Sequence, residues 1–339
     1  SFTVMVRDDD APVIATCPSN VTVNTNSNGT GDCTGTVPNL VSNLVVSDNC
    51  TATTALAVSQ SPIAGSTFGA QHGDQTVVTF TVRDAAGNTA VCSTVVTLND
   101  NEAPAFQNCP STMLMFGNDP DKCSAKVNWT APTAQDNCGT ATVTQTAGPT
   151  PGSVLSITCP PTDYTVSYTA TDNRGNSSTC SFIIRPVDTQ APQFNADVVM
   201  PGNVTVECNA VPTNCIPRTG GTCTPLTAAD ASDNCSNPLT VTFNEATTRG
   251  TDPKLCNYYD YVLTRTWTVS DCAGNSSQHT QTVTVKDRTA PTAKCKNVTV
   301  SLDKFGKATL TAAQVNDGST DNCAAAADLT YTISKTDFT

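Results

Sequence analysis

Along much of its length the chain alternates apolar and polar residues with a period of two. The runs "QTVVTFTV" (75–82), "DYTVSYTA" (163–170) and "QTVTV" (281–285) are each bounded by Gly, Pro, Asn or Asp. That pattern predicts short β-strands with one buried face, and no window carries a sustained helical period. Phe80, Tyr168 and Trp267 each stand four residues before the Asp of an Asp-x-x-Gly-Asn sequence, with Val82, Ala170 and Val269 two residues closer. Positions of equal parity share a face of a strand, so these residues are expected to stack in the cores of three copies of one sandwich.

The pattern recurs because the sequence does. "RDDDAPVI" (7–14), "NDNEAPAF" (99–106), "VDTQAPQF" (187–194) and "KDRTAPTA" (286–293) mark four joints. An Asp-Asn-Cys follows each joint, at 48–50, 136–138, 233–235 and 321–323, and "RDAAGN" (83–88), "TDNRGN" (171–176) and "SDCAGN" (270–275) come later. With Asp10, Asp100, Asp188 and Asp287 as landmarks the steps are 90, 88 and 99 residues, the size of one small β-domain rather than of a solenoid unit. The expected order is the end of a preceding repeat at 1–9, sandwiches at 10–99, 100–187 and 188–286, and an incomplete fourth at 287–339. Both ends then read as cut from a longer, elongated array.

Composition changes the picture in one respect. Only 5% of residues are aromatic and 38% hydrophobic, so repeats of this size have modest cores and need reinforcement. Seventeen Cys supply it, four, five and six in the three full repeats and two in the fragment. Dense, patterned Cys in small domains implies an oxidising compartment, hence an extracellular or cell-surface protein. A zinc protein is disfavoured, since no Cys-x-x-Cys occurs and His72 and His279 stand apart. A formal charge of −12, a pI near 4.4 and no basic patch argue against nucleic acid. No apolar stretch has membrane-spanning length, so no membrane contact is expected within these residues. An enzyme is not expected either: there is no His beside a nucleophile, no Gly-rich phosphate loop, and the carboxylates recur at structural positions.

The order Cys-Pro ("CPSNVTV", 17–23; "CPSTMLM", 109–115), a second Cys (Cys33, Cys123), Asp-Asn-Cys, Asp-x-x-Gly-Asn and a Cys in a closing strand ("AVCSTVV", "STCSFII") resembles the hyalin repeat. That family is an immunoglobulin-like β-sandwich of extracellular adhesive and matrix proteins and of long bacterial surface proteins. The third repeat departs: Met200 replaces the first Cys, His279 stands at the closing-strand position, and Cys208, Cys215, Cys223, Cys256 and Cys272 are new. It is similar to variant repeats of large adhesins of gliding and biofilm bacteria.

The resemblance carries expectations about bonds. Cys17 and Cys92, like Cys109 and Cys180, lose both equivalents together in the third repeat, as a bonded pair would. In an immunoglobulin-like sandwich the first and last strands lie side by side, so Cys17 is expected with Cys92 and Cys109 with Cys180. That leaves Cys33 with Cys50 and Cys123 with Cys138. The alternative joins each Asp-Asn-Cys to the closing-strand Cys, since Cys235 and Cys272 occupy neighbouring loops. Cys159 is left over, free or bonded to an outside partner.

The fold so implied also gathers the joint, the loop between strands two and three, and the loop before the last strand at one tip. Asp10, Asp48 and Asp84 are expected to meet there, as are Asp100, Asp136 and Asp172, and Asp188, Asp233 and Asp271; Asp287 and Asp321 begin a fourth set. Three close carboxylates repel one another unless a cation lies among them, and Asp- and Asn-rich loops suit calcium. The chain has 26 Asp and 3 Glu; short carboxylates equally suit Asx turns with no metal, so both readings stand. "LNDNEAPAF" (98–106) is similar to the calcium-binding linker of cadherins, which adds Asn101, whereas the later joints keep only Asp and Ala-Pro.

Three functions fit. The first is an adhesive, structural region, a disulfide- and calcium-stiffened stalk or filament that meets a protein or glycan on a cell surface or matrix, neighbouring repeats, or further copies of itself. The second is a binding module for carbohydrate or protein in the third repeat, on its insertion "CNAVPTNCIPRTGGTCTP" (208–225), with the other repeats as spacers. The third is an accessory region of a secreted hydrolase.

Overall fold

The computed structural model describes residues 2–27, 29, 31–218, 221–235 and 238–338. Eight strands build the first repeat: β1 (Val13–Thr16), β2 (Val21–Asn24), β3 (Gly35–Thr36), β4 (Val45–Ser47), β5 (Ala57–Ser61), β6 (Thr67–Phe68), β7 (Gln75–Arg83) and β8 (Thr89–Asn99). One sheet runs β2-β8-β7-β5; the pairs β1-β4 and β3-β6 are separate. β2 lies parallel to β8, with Val21 opposite Val96 and Asn24 opposite Asn99. β7 and β8 form an antiparallel hairpin in which Phe80 faces Cys92. Alternation along this hairpin turns Val78, Phe80, Val82, Val96 and Leu98 inward to full burial. Val37, Leu40, Leu44 and Phe68, from the remaining segments, pack against Val78, Phe80 and Val96. This is a tandem β-sandwich protein of immunoglobulin-like type.

The main-sheet order recurs in the next two repeats, as Leu114–Gly117, Ser177–Val187, Tyr164–Thr171 and Thr142–Ala147, and as Val204–Val206, Ser276–Val285, Tyr261–Ser270 and Thr240–Thr247. Tyr168, Ala170, Trp267 and Val269 are buried like Phe80 and Val82. The Tyr168 hydroxyl accepts a bond from Trp129 Nε1 (3.0 Å), so its polar atom is satisfied. Residues after Asp287 form short pairings, such as Ala308–Thr309 with Asp337–Phe338, and one helical turn, Ala312–Val315.

The chain divides into two compact units, one of residues 1–115, 127–153 and 163–185, the other of 116–126, 154–162 and 186–339. In the first, disulfides join Cys17 to Cys92 and Cys109 to Cys180, tying each Cys-Pro segment to its closing strand. In the second, Trp267 faces His279 across the sheet, as Phe80 faces Cys92. His279 Nε2 lies 2.8 Å from the Pro201 carbonyl, next to Met200. A hydrogen bond thus spans the place where the first two repeats have a disulfide.

Candidate functional site

The first three tips are each built on an Asp that closes the last hairpin. Asp84 Oδ1 accepts the N–H groups of Gly87 (2.6 Å) and Asn88 (2.8 Å), and Oδ2 accepts Asn88 Nδ2 (2.8 Å). Gly87 sits at φ 104°, a conformation costly for any residue with a Cβ. Asn88 Nδ2 also donates to the Asp8 carbonyl (3.2 Å), which ties the turn to the incoming chain. Asp172, Asn176 and the Asp100 carbonyl (3.4 Å) repeat the device, as do Asp271, Asn275 and the Asp188 carbonyl (3.2 Å).

The Asp-Asn-Cys loop supplies the second component. One oxygen of its Asp accepts the N–H of the Cys two residues on: Cys50 (3.0 Å), Cys138 (2.9 Å), Cys235 (2.9 Å) and Cys323 (2.8 Å). The other oxygen, Asp48 Oδ2, Asp136 Oδ1, Asp233 Oδ1 or Asp321 Oδ2, is buried with no hydrogen-bond partner among the described residues, as are Asn137, Asn234 and Asn322 Oδ1. Carboxylate oxygens of Asp8, Asp48 and Asp84 lie within 4.8 Å of one another, and so do those of Asp100, Asp136 and Asp172. At the third and fourth tips the same span holds Asp188, Asp233 and Cys235, and Glu207, Asp287 and Cys323. Both of those sulfurs are in disulfides, which leaves the oxygens as donors.

Four further disulfides join consecutive repeats: Cys33 to Cys138, Cys123 to Cys235, Cys208 to Cys323 and Cys159 to Cys272, at Cα separations of 4.8, 4.5, 5.5 and 6.2 Å. The expected Cys33–Cys50 and Cys123–Cys138 pairs are therefore not made. The reason is strand direction. β2 runs parallel to β8 and the Thr25 N–H bonds to the Asn99 carbonyl (2.9 Å), so Cys33, in the loop after β2, sits at the trailing end from which the chain leaves for Asp100. β4 is antiparallel to β1, with Ser47 opposite Val13, so Cys50 lies at the leading end beside Asp8 and Asp10. The alternative pairing fails too: Cys272, in the third hairpin turn, bonds Cys159, the Cys left over in the sequence. Cys215 pairs with Cys223 inside the third-repeat insertion. Cys50, Cys256 and Cys295 are free and exposed among the described residues.

Comparison with known proteins bears on this cross-linked, acid-tipped array. Residues 99–185 match the HYR domain, and residues 197–285 match the HYR-like domain with 4 cysteines. The chain carries HYR repeats. It is 31% identical over 254 residues to hyalin of Strongylocentrotus purpuratus, covering 71% of this chain and 19% of that protein. Hyalin of Lytechinus variegatus is 28% identical over 278 residues, 79% of this chain and 47% of the relative. The chain thus spans less than half the length of either hyalin, and neither supports a bacterial source. The Protocadherin GammaB4 extracellular domain covers 89% of this chain and 53% of its own at 15% identity, but a TM-score of 0.31 is too slight to carry an argument.

Within these HYR repeats the structure moves one expected acidic residue and adds others. Asp8, not Asp10, stands with Asp48 and Asp84. Ala-Pro sets this register, because Asp8 precedes Ala11 by three residues just as Asp100, Asp188 and Asp287 precede Ala103, Ala191 and Ala290. Asp10 is exposed and accepts Asn49 Nδ2 (2.9 Å), while Asn101 is exposed and its neighbour Glu102 takes the matching bond from Asn137 (2.8 Å). Asp271 is buried in its turn beside the Asp188–Asp233 group. The trailing end of one repeat borders the next tip: His72 Nδ1 accepts the Asp100 N–H (3.0 Å), and the Glu207 carboxylate accepts the Arg288 N–H (3.1 Å).

The carboxylates divide by environment. Burial pulls the Asp84 and Asp172 carboxyls up, but hydrogen bonds from Asn88 and Asn176 and from the turn backbone outweigh it and hold both below the usual range. Burial pushes Asp100, Asp233 and Asp287 above it, reinforced by Asp136 and Asp172, by Asp188 and Asp271, and by Asp321 and Glu207 respectively. Among the insertion's charges, Arg218 is committed to Asp230, and its guanidinium holds that carboxyl at about 2.

Proposed function

We propose that these residues form an adhesive, structural region of an extracellular protein, a stalk or filament whose joints bind calcium and whose repeats are cross-linked through disulfides. The observation that carries the calcium reading is the orphaned oxygen. In all four Asp-Asn-Cys loops one carboxylate oxygen is used by the loop and the other is buried without a donor, in three of them beside an orphaned Asn oxygen. A buried acceptor without a donor costs about 1–3 kcal/mol, more when charged, so four such atoms at equivalent sites need a common partner. The donor set is oxygen from Asp and Asn, which fits a hard divalent cation and not zinc. Asp100, Asp136, Asp172 and Asn137 would hold it at the second tip, and Asp188, Asp233 and Asn234 at the third. A bound ion would cancel the repulsion among these carboxylates and tie the incoming joint to two loops of the following repeat.

Titration calorimetry on the whole chain tests this reading. Calcium binding at the tips, with a higher melting temperature that chelation reverses, is expected. No heat and no chelator effect would reduce the tips to hydrogen-bonded turns.

The adhesive ligand belongs to the same proposal: a protein or glycan of a cell surface or matrix, or further copies of the chain. A dedicated binding site on the third-repeat insertion is less well supported. Cys208 is a cross-link to the fourth repeat, Cys215–Cys223 braces the loop, and Arg218 is bound to Asp230.

A further inference from the structure

Four Asp-Asn-Cys loops share one construction, and three are occupied in one way. Asn137 donates from Nδ2 to the Asp32 carbonyl (3.4 Å) and Asn234 to the Lys122 carbonyl (3.0 Å), while Asn322 donates to the Glu207 carboxylate (3.5 Å). Asp32, Lys122 and Glu207 each immediately precede the Cys to which that loop is bonded, Cys33, Cys123 and Cys208. Each loop therefore grips the trailing loop of the repeat before it through one Asn amide and one disulfide. In the remaining loop, Asn49 spends one N–H on Asp10, as Asn137 spends one on Glu102. Its second N–H has no partner among the described residues, and Cys50 is free and exposed.

We infer that Asn49 and Cys50 form a docking and cross-linking site for the Cys-bearing trailing loop of a further repeat of this kind. This inference rests on the bonded equivalents and not on calcium, so either can fail alone. The occupant presents a backbone carbonyl or carboxylate to Asn49 and a thiol to Cys50. The two thiols lose two protons and two electrons to a small-molecule disulfide such as oxidised glutathione. A mixed disulfide forms with release of one glutathione thiol, and attack by the second cysteine then releases the other. The repeat that supplies the loop could lie on the same chain or on a second one.

The probe is the peptide "NDPDKCSA" (118–125), supplied as its mixed disulfide with thionitrobenzoate. Attack by a protein thiolate joins it to the peptide sulfur and expels thionitrobenzoate. Cys256 and Cys295, also free and exposed, are internal controls on the same molecule, with each cysteine's capture taken relative to its capture of a scrambled peptide so that differences in thiol reactivity cancel. Mass spectrometry of the quenched intact chain is expected to place the peptide on Cys50 about tenfold over either control, a preference worth about 1.4 kcal/mol. Asn49→Ala should cut that preference about fivefold, as for one hydrogen bond. Equal relative capture by the three cysteines, that is, the same preference with a scrambled peptide, overturns the inference. In the natural protein, isolated with alkylation and no reductant, Cys50 is expected in a disulfide, and an alkylated Cys50 there overturns it as well. Non-reducing electrophoresis separates the two sources, because only a second chain raises the mass.

Discussion

Removing the Cys33–Cys138 cross-link with the double substitution C33A/C138A tests both the pairing and the reason for it. A disulfide stabilises mainly by closing a loop in the unfolded chain, and more so the longer the loop. Along the backbone that loop is 105 residues, but Cys17–Cys92 shortens it, because the chain can pass from 33 to 17, cross, and continue from 92 to 138. The remaining path of roughly 62 residues gives about 4 kcal/mol at 25 °C. Cys215–Cys223 closes 8 residues, which the same relation values at about 2.5 kcal/mol. C33A/C138A should therefore lose more stability than C215A/C223A, by about 1.5–2 kcal/mol. The assay is guanidinium unfolding at fixed calcium, followed by Trp129 in a Trp267→Phe background for the first pair and by Trp267 in a Trp129→Phe background for the second. Equal losses, or a smaller loss for C33A/C138A, would refute the loop-closure reasoning. A non-reduced peptide map linking Cys33 to Cys50 would refute the pairing itself.

Three other outcomes follow from the same geometry. Asp136→Asn should change sign with calcium: without the ion it relieves repulsion with Asp100 and Asp172 and raises the melting temperature, whereas with the ion it removes a ligand and lowers the melting temperature relative to the parent chain. Scans at both conditions check this, and the same sign in both would count against a cation at that tip. Asp230, held at about 2 by Arg218 against an ordinary 3.8, has a depressed folded pKa, so its stabilisation is present above pH 4 and lost as pH falls towards 2. That contribution is about 2 kcal/mol, and Asp230→Asn should remove it at neutral pH and flatten the acid limb of a stability–pH curve. Phe80→Ala, at a position with no exposed surface, should cost about 3–5 kcal/mol, read as a lower denaturant midpoint with an unchanged slope.

Much of the fold was legible because strand alternation is local. Phe80, Tyr168 and Trp267 declare their buried face by parity with Val82, Ala170 and Val269, and only a pleated strand satisfies that period. The hairpin turns at Asp-x-x-Gly-Asn follow from spacing in the same way. The identity of the joint Asp was also there to be read: counting back from Ala-Pro selects Asp8, whereas the run Arg-Asp-Asp-Asp offers three candidates to any less exact landmark. Cys33 with Cys138 could not be read from spacing, because a disulfide depends on which ends of two sandwiches meet. Strand direction decides that: a parallel β2 carries Cys33 to the trailing end, and an antiparallel β4 carries Cys50 to the leading one. The orphaned oxygens of Asp136, Asn137 and their equivalents depend on tertiary structure for a related reason. Their sequence promises an Asx turn, and the turn uses one oxygen; only the packing of three loops around the other removes it from water.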